Sequence, residues 1–259
     1  MGLPGITREQ MVKVDEIMMN DLNVPLELMM EHAGHNLARL STNYLSENQS
    51  LLVIAGSGNN GGGGLVSACR LKSWGYDVAV YLPQGKSSLR PVPAKQAMRV
   101  ESLGIELVDG LPTDDSDNLV IDAYLGYSYT KRSDSTTSNV LRFFKETALI
   151  VSLDVPSGLN SNTGESSVPF SPKATMTIAF VKEGLLKANK NQFGRLYVVD
   201  IGVPRYLIEN QLGIEWITPY SISELERLYY GFVGDPLQEV FINDDGVFEN
   251  NPIWIVDRR

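Results

Sequence analysis

Apolar residues follow two alternating patterns along this chain, stretches at helical spacing and short unbroken runs. Thr7 with Gln10 three residues later has the form of a capping box, and Met11, Val14, Asp15, Met18 and Met19 follow at helical spacing, which starts the first helix there. Pro25 at a first-turn position precedes a second helical stretch through Leu26, Leu28, Met29, Met30, Ala33, Leu37 and Leu40. The run Leu51-Leu52-Val53-Ile54-Ala55 is short, apolar and ends in glycines, as a strand buried on both faces does. After the glycines, Leu65 to Leu71 reads as a helix ending near Gly75. Strands at 77–82, 105–108, 119–121 and 149–153 then alternate with helices at 94–102 and 139–146, and two more apolar runs occupy 175–181 and 196–201.

Strands alternating with helices predict an α/β fold, a Rossmann-like three-layer α/β/α arrangement around a mainly parallel sheet. Ligands of such sheets bind outside the carboxyl ends of the strands. Residues 1–204 read as one unit. The segment 205–259 changes character, and 238–248 reads as a hairpin turning at Asp245-Gly246. No Pro- or Gly-rich linker separates it, so it is expected to be an extension on the same domain.

Composition narrows the partners. A chain of 259 residues can bury a sizeable core, and its formal net charge of −9 disfavours nucleic acid and anionic membrane surfaces. Cys69 is the single cysteine, so no internal disulfide forms, and no apolar run reaches the roughly 18 residues of a spanning helix. No signal-peptide pattern opens the chain, which makes the reducing cytoplasm the expected address.

Chemistry concentrates at three strand ends. The segment Gly56-Ser57-Gly58-Asn59-Asn60-Gly61-Gly62-Gly63-Gly64 follows a buried strand and enters a helix, where glycines permit positive φ angles and close backbone approach, and free amides attract negative charge. It contains G-x-G-x-x-G, yet the next strand ends in Leu82-Pro83-Gln84 without the acid that holds a ribose, which disfavours an ordinary dinucleotide reductase. The segment holds no lysine, so the P-loop pattern fails as well. Asp122 and Asp154 each follow an apolar strand, with Gly126 and the turn Pro156-Ser157-Gly158 behind them. Either aspartate alone could cap a helix or a turn, whereas both at one sheet edge with the glycine segment define a pocket. Asn60, Asp122 and Ser157 supply only oxygen and one negative charge, which suits potassium, sodium or magnesium rather than zinc, or else backbone hydrogen bonding. His32 and His35, three apart on one helix with no third ligand, read as packing or capping, and Cys69 as a small buried residue.

Leu28-Met29-Met30-Glu31-His32-Ala33-Gly34, Gly58 to Gly64, Ile121-Asp122-Ala123 with Gly126, and Asp154-Val155-Pro156-Ser157-Gly158 together resemble the NAD(P)H-hydrate epimerases, the YjeF N-terminal domain family, over about Thr7 to Pro204. The resemblance implies a Rossmann-like fold, usually dimeric, that interconverts the epimers of hydrated NADH or NADPH as a repair step. It places substrate at Asn59, Asn60, Gly61, Gly62 and Gly63, at Gly126, Tyr127, Ser128, Tyr129, Thr130, Lys131 and Arg132, and at Asp154, which also serves as acid or base. Potassium falls to Asn60, Asp122 and Ser157. Gly63 departs from the pattern, standing where the family has aspartate, and Leu125 replaces a common phenylalanine. The residues after Pro204 are too few for a dehydratase domain, so that partner is expected on a separate chain. The reading is an isomerase for hydrated NAD(P)H, with a catalytically weak nucleotide-binding or scaffold protein of the same fold as the alternative that Gly63 favours.

Overall fold

Alternate residues of each central strand feed two different cores, which is what a sheet covered on both faces requires. In the computed structural model, Leu51, Val53 and Ala55 of β1 (Leu51–Ala55) join one apolar cluster, while Leu52 and Ile54 join another with Val140, Leu141 and Phe144 of α5 (Ser135–Glu146). The structure describes residues 5–46, 49–112, 118–129, 134–204, 210, 212 and 213, and the backbone of 237–242 and 248–249. The first core also receives α1 (Arg8–Glu16), α2 (Leu26–Thr42), α3 (Asn59–Ser73) and α4 (Pro91–Ser102), giving helices on both faces of the sheet. The predicted capping box at Thr7 and Gln10 is present, and a π turn at Ile17–Asp21 continues α1.

The remaining strands are β2 (Val78–Tyr81), β3 (Glu106–Val108), β4 (Leu119–Ala123), β5 (Ile150–Leu153), β6 (Ala174–Ile178), β7 (Arg195–Val199), β8 (Leu237–Ile242) and β9 (Phe248–Glu249). A short helix α6 (Glu183–Lys187) follows β6. Sheet order is β3-β2-β1-β4-β5-β6-β7-β8-β9, parallel from β3 through β7. β8 pairs antiparallel with β7, and β9 antiparallel with β8. The hairpin turn expected at Asp245-Gly246 lies outside the described residues. Among the described residues no helix is long and apolar enough to cross a membrane.

The glycine segment differs from its expected form. The helix begins at Asn59 rather than near Leu65, and none of Gly56 to Gly64 has a positive φ. These glycines serve close packing instead. A Cβ on Gly61 would collide with the Gly56 carbonyl, and one on Gly64 would collide with Ala123 of β4. At Gly63 the only near atom is Leu153 Cδ2 at 2.9 Å, the tip of a side chain that can turn. Gly64→Ala is therefore expected to cost roughly 1 to 3 kcal/mol by overpacking. Gly63→Ala should stay within about 1 kcal/mol of the native chain, because helix propensity offsets the leucine's movement. Urea unfolding midpoints check this, and equal midpoints for the two variants would mean that α3 does not rest on β4 at Gly64.

Candidate functional site

The strand order reverses between β1 and β4, so the chain leaves these two neighbours toward opposite sides and a crevice opens at their carboxyl ends. A cleft of ≈ 690 Å³ lies there. Its floor comes from the start of α3, the segment after β4 and the residue after β5, represented by Asn59, Asn60, Tyr127 and Asp154. Gly58 caps α3 without a side chain, which leaves the first amides of the helix for an incoming anion. Arg8 and Asp15 of the N-terminal segment close the opposite wall.

Asp122 is the penultimate residue of β4, on the face that carries α5, level with Ser152 of β5 in the parallel register. Its side chain is fully buried. Oδ1 accepts from Ser157 Oγ at 2.5 Å and from the Tyr124 amide at 3.2 Å, and Oδ2 accepts from the Ser157 amide and Ser152 Oγ, both at 2.9 Å. Ser157 Oγ in turn accepts from the Leu125 amide at 2.8 Å. One carboxylate thus joins the segment after β4 to the turn after β5. Burial pushes its carboxyl up to about 6, against the pull of the Ser157, Tyr124 and Ser152 donors.

Asp154 follows β5 with φ +70, in the left-handed region that a non-glycine residue seldom occupies. Its amide donates to the Met176 carbonyl at 2.7 Å, which holds the backbone there. Oδ2 accepts from the Tyr127 amide at 2.8 Å, and Oδ1 lies 2.5 Å from Lys182 Nζ. Lys182 is itself fully buried and donates to Thr177 Oγ1 and the Ile178 carbonyl. The Tyr127 hydroxyl donates to Asp15 Oδ2 at 2.6 Å, and Ser161 Oγ donates to the Tyr127 carbonyl at 2.8 Å. Burial raises the Asp15 carboxyl, and burial with the neighbouring Asp15 charge raises the Tyr127 phenol, so this phenol keeps its proton.

A family model for the YjeF-related protein N-terminus matches residues 26–184. This chain belongs to that family. An NAD(P)H-hydrate epimerase of Dehalogenimonas lykanthroporepellens is 33% identical over 234 residues, covering 88% of this chain and 94% of the relative. The NAD(P)H-hydrate epimerase of Elusimicrobium minutum is 30% identical, covering 78% of this chain and 97% of that protein. A bifunctional NAD(P)H-hydrate repair enzyme Nnr of Thermofilum pendens is 33% identical over 76% of this chain, which spans only 40% of that longer protein. Among solved structures, yeast ynu0 shares the fold, with TM-score 0.72 at 23% identity over 86% of this chain and 98% of that one.

In this YjeF-related domain the residues singled out from the sequence fall into three groups. Asn59, Asn60, Gly63, Gly126, Tyr127, Ser128, Tyr129 and Asp154 line the cleft. Gly61 and Gly62 lie inside α3, with Asp122 and Ser157 behind the cleft wall, and none of these four is among its lining residues. Thr130, Lys131 and Arg132 lie outside the described residues. Lys182, Asp15, Ser161 and Gln84 were not anticipated as site residues. Lys182 carried a legible signal, since it is the first charged residue after the apolar run 175–181, the same position that marked Asp122 and Asp154.

Asn60, Asp122 and Ser157 offer only oxygen ligands, the chemistry of a hard cation rather than of a transition metal. Asn60 Nδ2 donates to the Leu153 carbonyl at 3.4 Å, and a Cβ on Gly126 would lie 3.1 Å from Asn60 Oδ1, so this side chain sits between the ends of β4 and β5. Asp122 is a buried carboxylate whose partners are hydroxyls and amides, with no cationic side chain beside it among the described residues. No cluster of three histidine, cysteine or acidic residues exists among the described residues, as a transition metal would need. Ser157→Ala removes one donor to the buried carboxylate and the acceptor of the Leu125 amide. It is expected to destabilise the domain by about 1 to 3 kcal/mol, read as a lowered urea midpoint at unchanged slope. A midpoint equal to the native one would show that Asp122 does not depend on Ser157.

Proposed function

We propose that this domain interconverts the epimers of hydrated NADH or NADPH, with Asp154 as the reacting carboxylate. The observation that carries the reading is a cleft carboxylate fixed through both oxygens, in a member of this family, beside the open amino end of α3. The amides and side chains of Asn59 and Asn60 orient the adenylate and phosphates, and the damaged nicotinamide ring faces Asp154. Gly126 to Tyr129 form the second wall of the substrate site, and substrate contact at Thr130, Lys131 and Arg132 is part of the same proposal. At the hydrated carbon the C–O bond breaks, the hydroxyl leaves as water with a proton drawn from solvent, and a cationic ring remains. Water then adds to the opposite face, and its proton passes through Asp154 back to solvent, so no atom is gained or lost. A preorganised carboxylate stabilises the cation and accepts the proton of the incoming water.

Potassium is part of the same proposal, held by Asn60, Asp122 and Ser157, where its charge would neutralise the buried carboxylate. The bifunctional name of the Thermofilum relative supports a companion dehydratase for this chain. A homodimer and a cytoplasmic address, expected from the sequence, complete the proposal. Gly63 favours a second reading, binding without turnover, because it presents no side chain to the cleft.

Asp154→Asn separates the two. It keeps size and removes the base, so turnover of the slow epimer, coupled to a dehydratase that consumes only the other, should fall on the order of 10² to 10⁴ with affinity little changed. A native protein no faster than the spontaneous reaction, yet binding an adenine dinucleotide, would replace the enzyme reading with the binding one. For the ion, the folded-state carboxyl of Asp122 at about 6 lies above its ordinary 3.8. Its contribution to stability is therefore complete below the ordinary value and lost as pH rises through about 6. Potassium needs the ionised form and should restore that loss. Thermal melts in potassium against choline at equal ionic strength are expected to show a larger rise in Tm at pH 7.5 than at pH 5. An equal response at both pH values would remove Asp122 from the ion site.

A further inference from the structure

Lys182 is a fully buried ammonium at the junction of β6 and α6. Its three nearest polar partners are Asp154 Oδ1 at 2.5 Å, the Ile178 carbonyl at 2.7 Å and Thr177 Oγ1 at 3.2 Å. Thr177 Oγ1 and the Ile178 carbonyl accept two of its protons, and the Asp154 carboxylate is its ion-pair partner. Lys182 also lies behind the cleft rather than in its lining, whereas Asp154 lines it. We propose that Lys182 is the positioning residue that fixes the Asp154 carboxylate in the cleft.

This inference rests on the epimerase reading. Asp154 Oδ1 is ion-paired with Lys182 and Oδ2 accepts from the Tyr127 amide, which leaves further lone-pair capacity on Oδ2 for substrate. The charged and titratable groups around Asp154 come from three elements. Lys182 approaches from the β6–α6 junction, with its Nζ 5.8 Å from the centre of the Tyr127 ring. Tyr127 comes from the segment after β4, and Asp15 from α1, its carboxylate bound to the Tyr127 hydroxyl. Asp15 and Asp154 repel one another, and Lys182 attracts both. Taking Lys182 away leaves Asp154 buried beside another carboxylate, a setting that favours its protonated, unreactive form.

The test compares the native chain, Lys182→Met, Asp154→Asn and the double variant Asp154→Asn/Lys182→Met in the coupled epimerase assay across pH 4.5 to 9. Lys182→Met is expected to lose about 10²-fold or more in kcat with KM changed less than about threefold. The acid limb of its kcat profile should move up by at least about one pH unit, the usual effect of an adjacent opposite charge. A purely structural salt bridge would leave that limb in place. Should Lys182→Met fail to fold, as an unpaired buried carboxylate can cause, the double variant carries no buried charge pair and still decides. Acting through Asp154, the lysine should make no further difference once Asp154 is asparagine, so both asparagine variants turn over alike. A further loss in the double variant, or native kcat and pH profile in Lys182→Met, overturns the proposal. An inactive native chain instead overturns the epimerase reading and leaves a different signature, no turnover in any variant.

Discussion

A buried carboxylate with no cationic side chain beside it among the described residues sets the shape of this site. Transferring Asp122 from water to the interior costs several kcal/mol unless its charge is met by hydrogen bonds. Four donors meet it, and all of them come from β5 or from the two segments that form the cleft. The segment after β4 and the turn after β5 must therefore keep one arrangement, or the carboxylate loses its compensation. Asp154 starts that turn and Tyr127 belongs to that segment, so the groups that face a ligand inherit their positions from a residue that does not line the cleft.

The second buried carboxylate is handled differently. Asp154 is met by an amide and by a lysine ammonium, and its backbone is pinned in a left-handed conformation by the Met176 carbonyl. Left-handed geometry at a non-glycine residue costs on the order of 1 kcal/mol, and it persists because β6 and the β6–α6 junction hold both ends of the side chain's environment. The N-terminal helix enters the same arrangement through Asp15 and the Tyr127 hydroxyl. Two elements distant in sequence thus meet at one oxygen pair, and through Tyr127 the cleft wall formed by α1 is coupled to the residue that follows β5.

The glycines after β1 show how one composition can serve two physical ends. Close approach was part of the reading from sequence, and it holds at Gly61 against the Gly56 carbonyl and at Gly64 against Ala123. Positive φ was the other part, and it is absent because the helix starts at Asn59 and absorbs Gly61 to Gly64 into its first turns. The consequence for function is direct. A helix that begins this early brings the amides of Asn59 and Asn60 to the cleft floor, whereas a long loop would have displaced them.

The sequence by itself determined the alternation of elements, the parallel sheet and the three strand ends where chemistry gathers, because burial on two faces writes apolar runs and the chain must turn polar where each strand leaves the core. It also marked Asn60, Asp122, Asp154 and Ser157, each placed by its distance from a strand end. Tertiary structure alone decided what those residues touch. Nothing in the order of residues states that Lys182 reaches back to Asp154 or that Asp15, far along the chain, bonds to Tyr127, since both contacts depend on β6 lying beside β5 and on α1 crossing the cleft. Local preference fixes which residues stand at an edge. Which of them meet is set by the packing of strands and helices remote in sequence, where burial makes each charge seek the nearest partner.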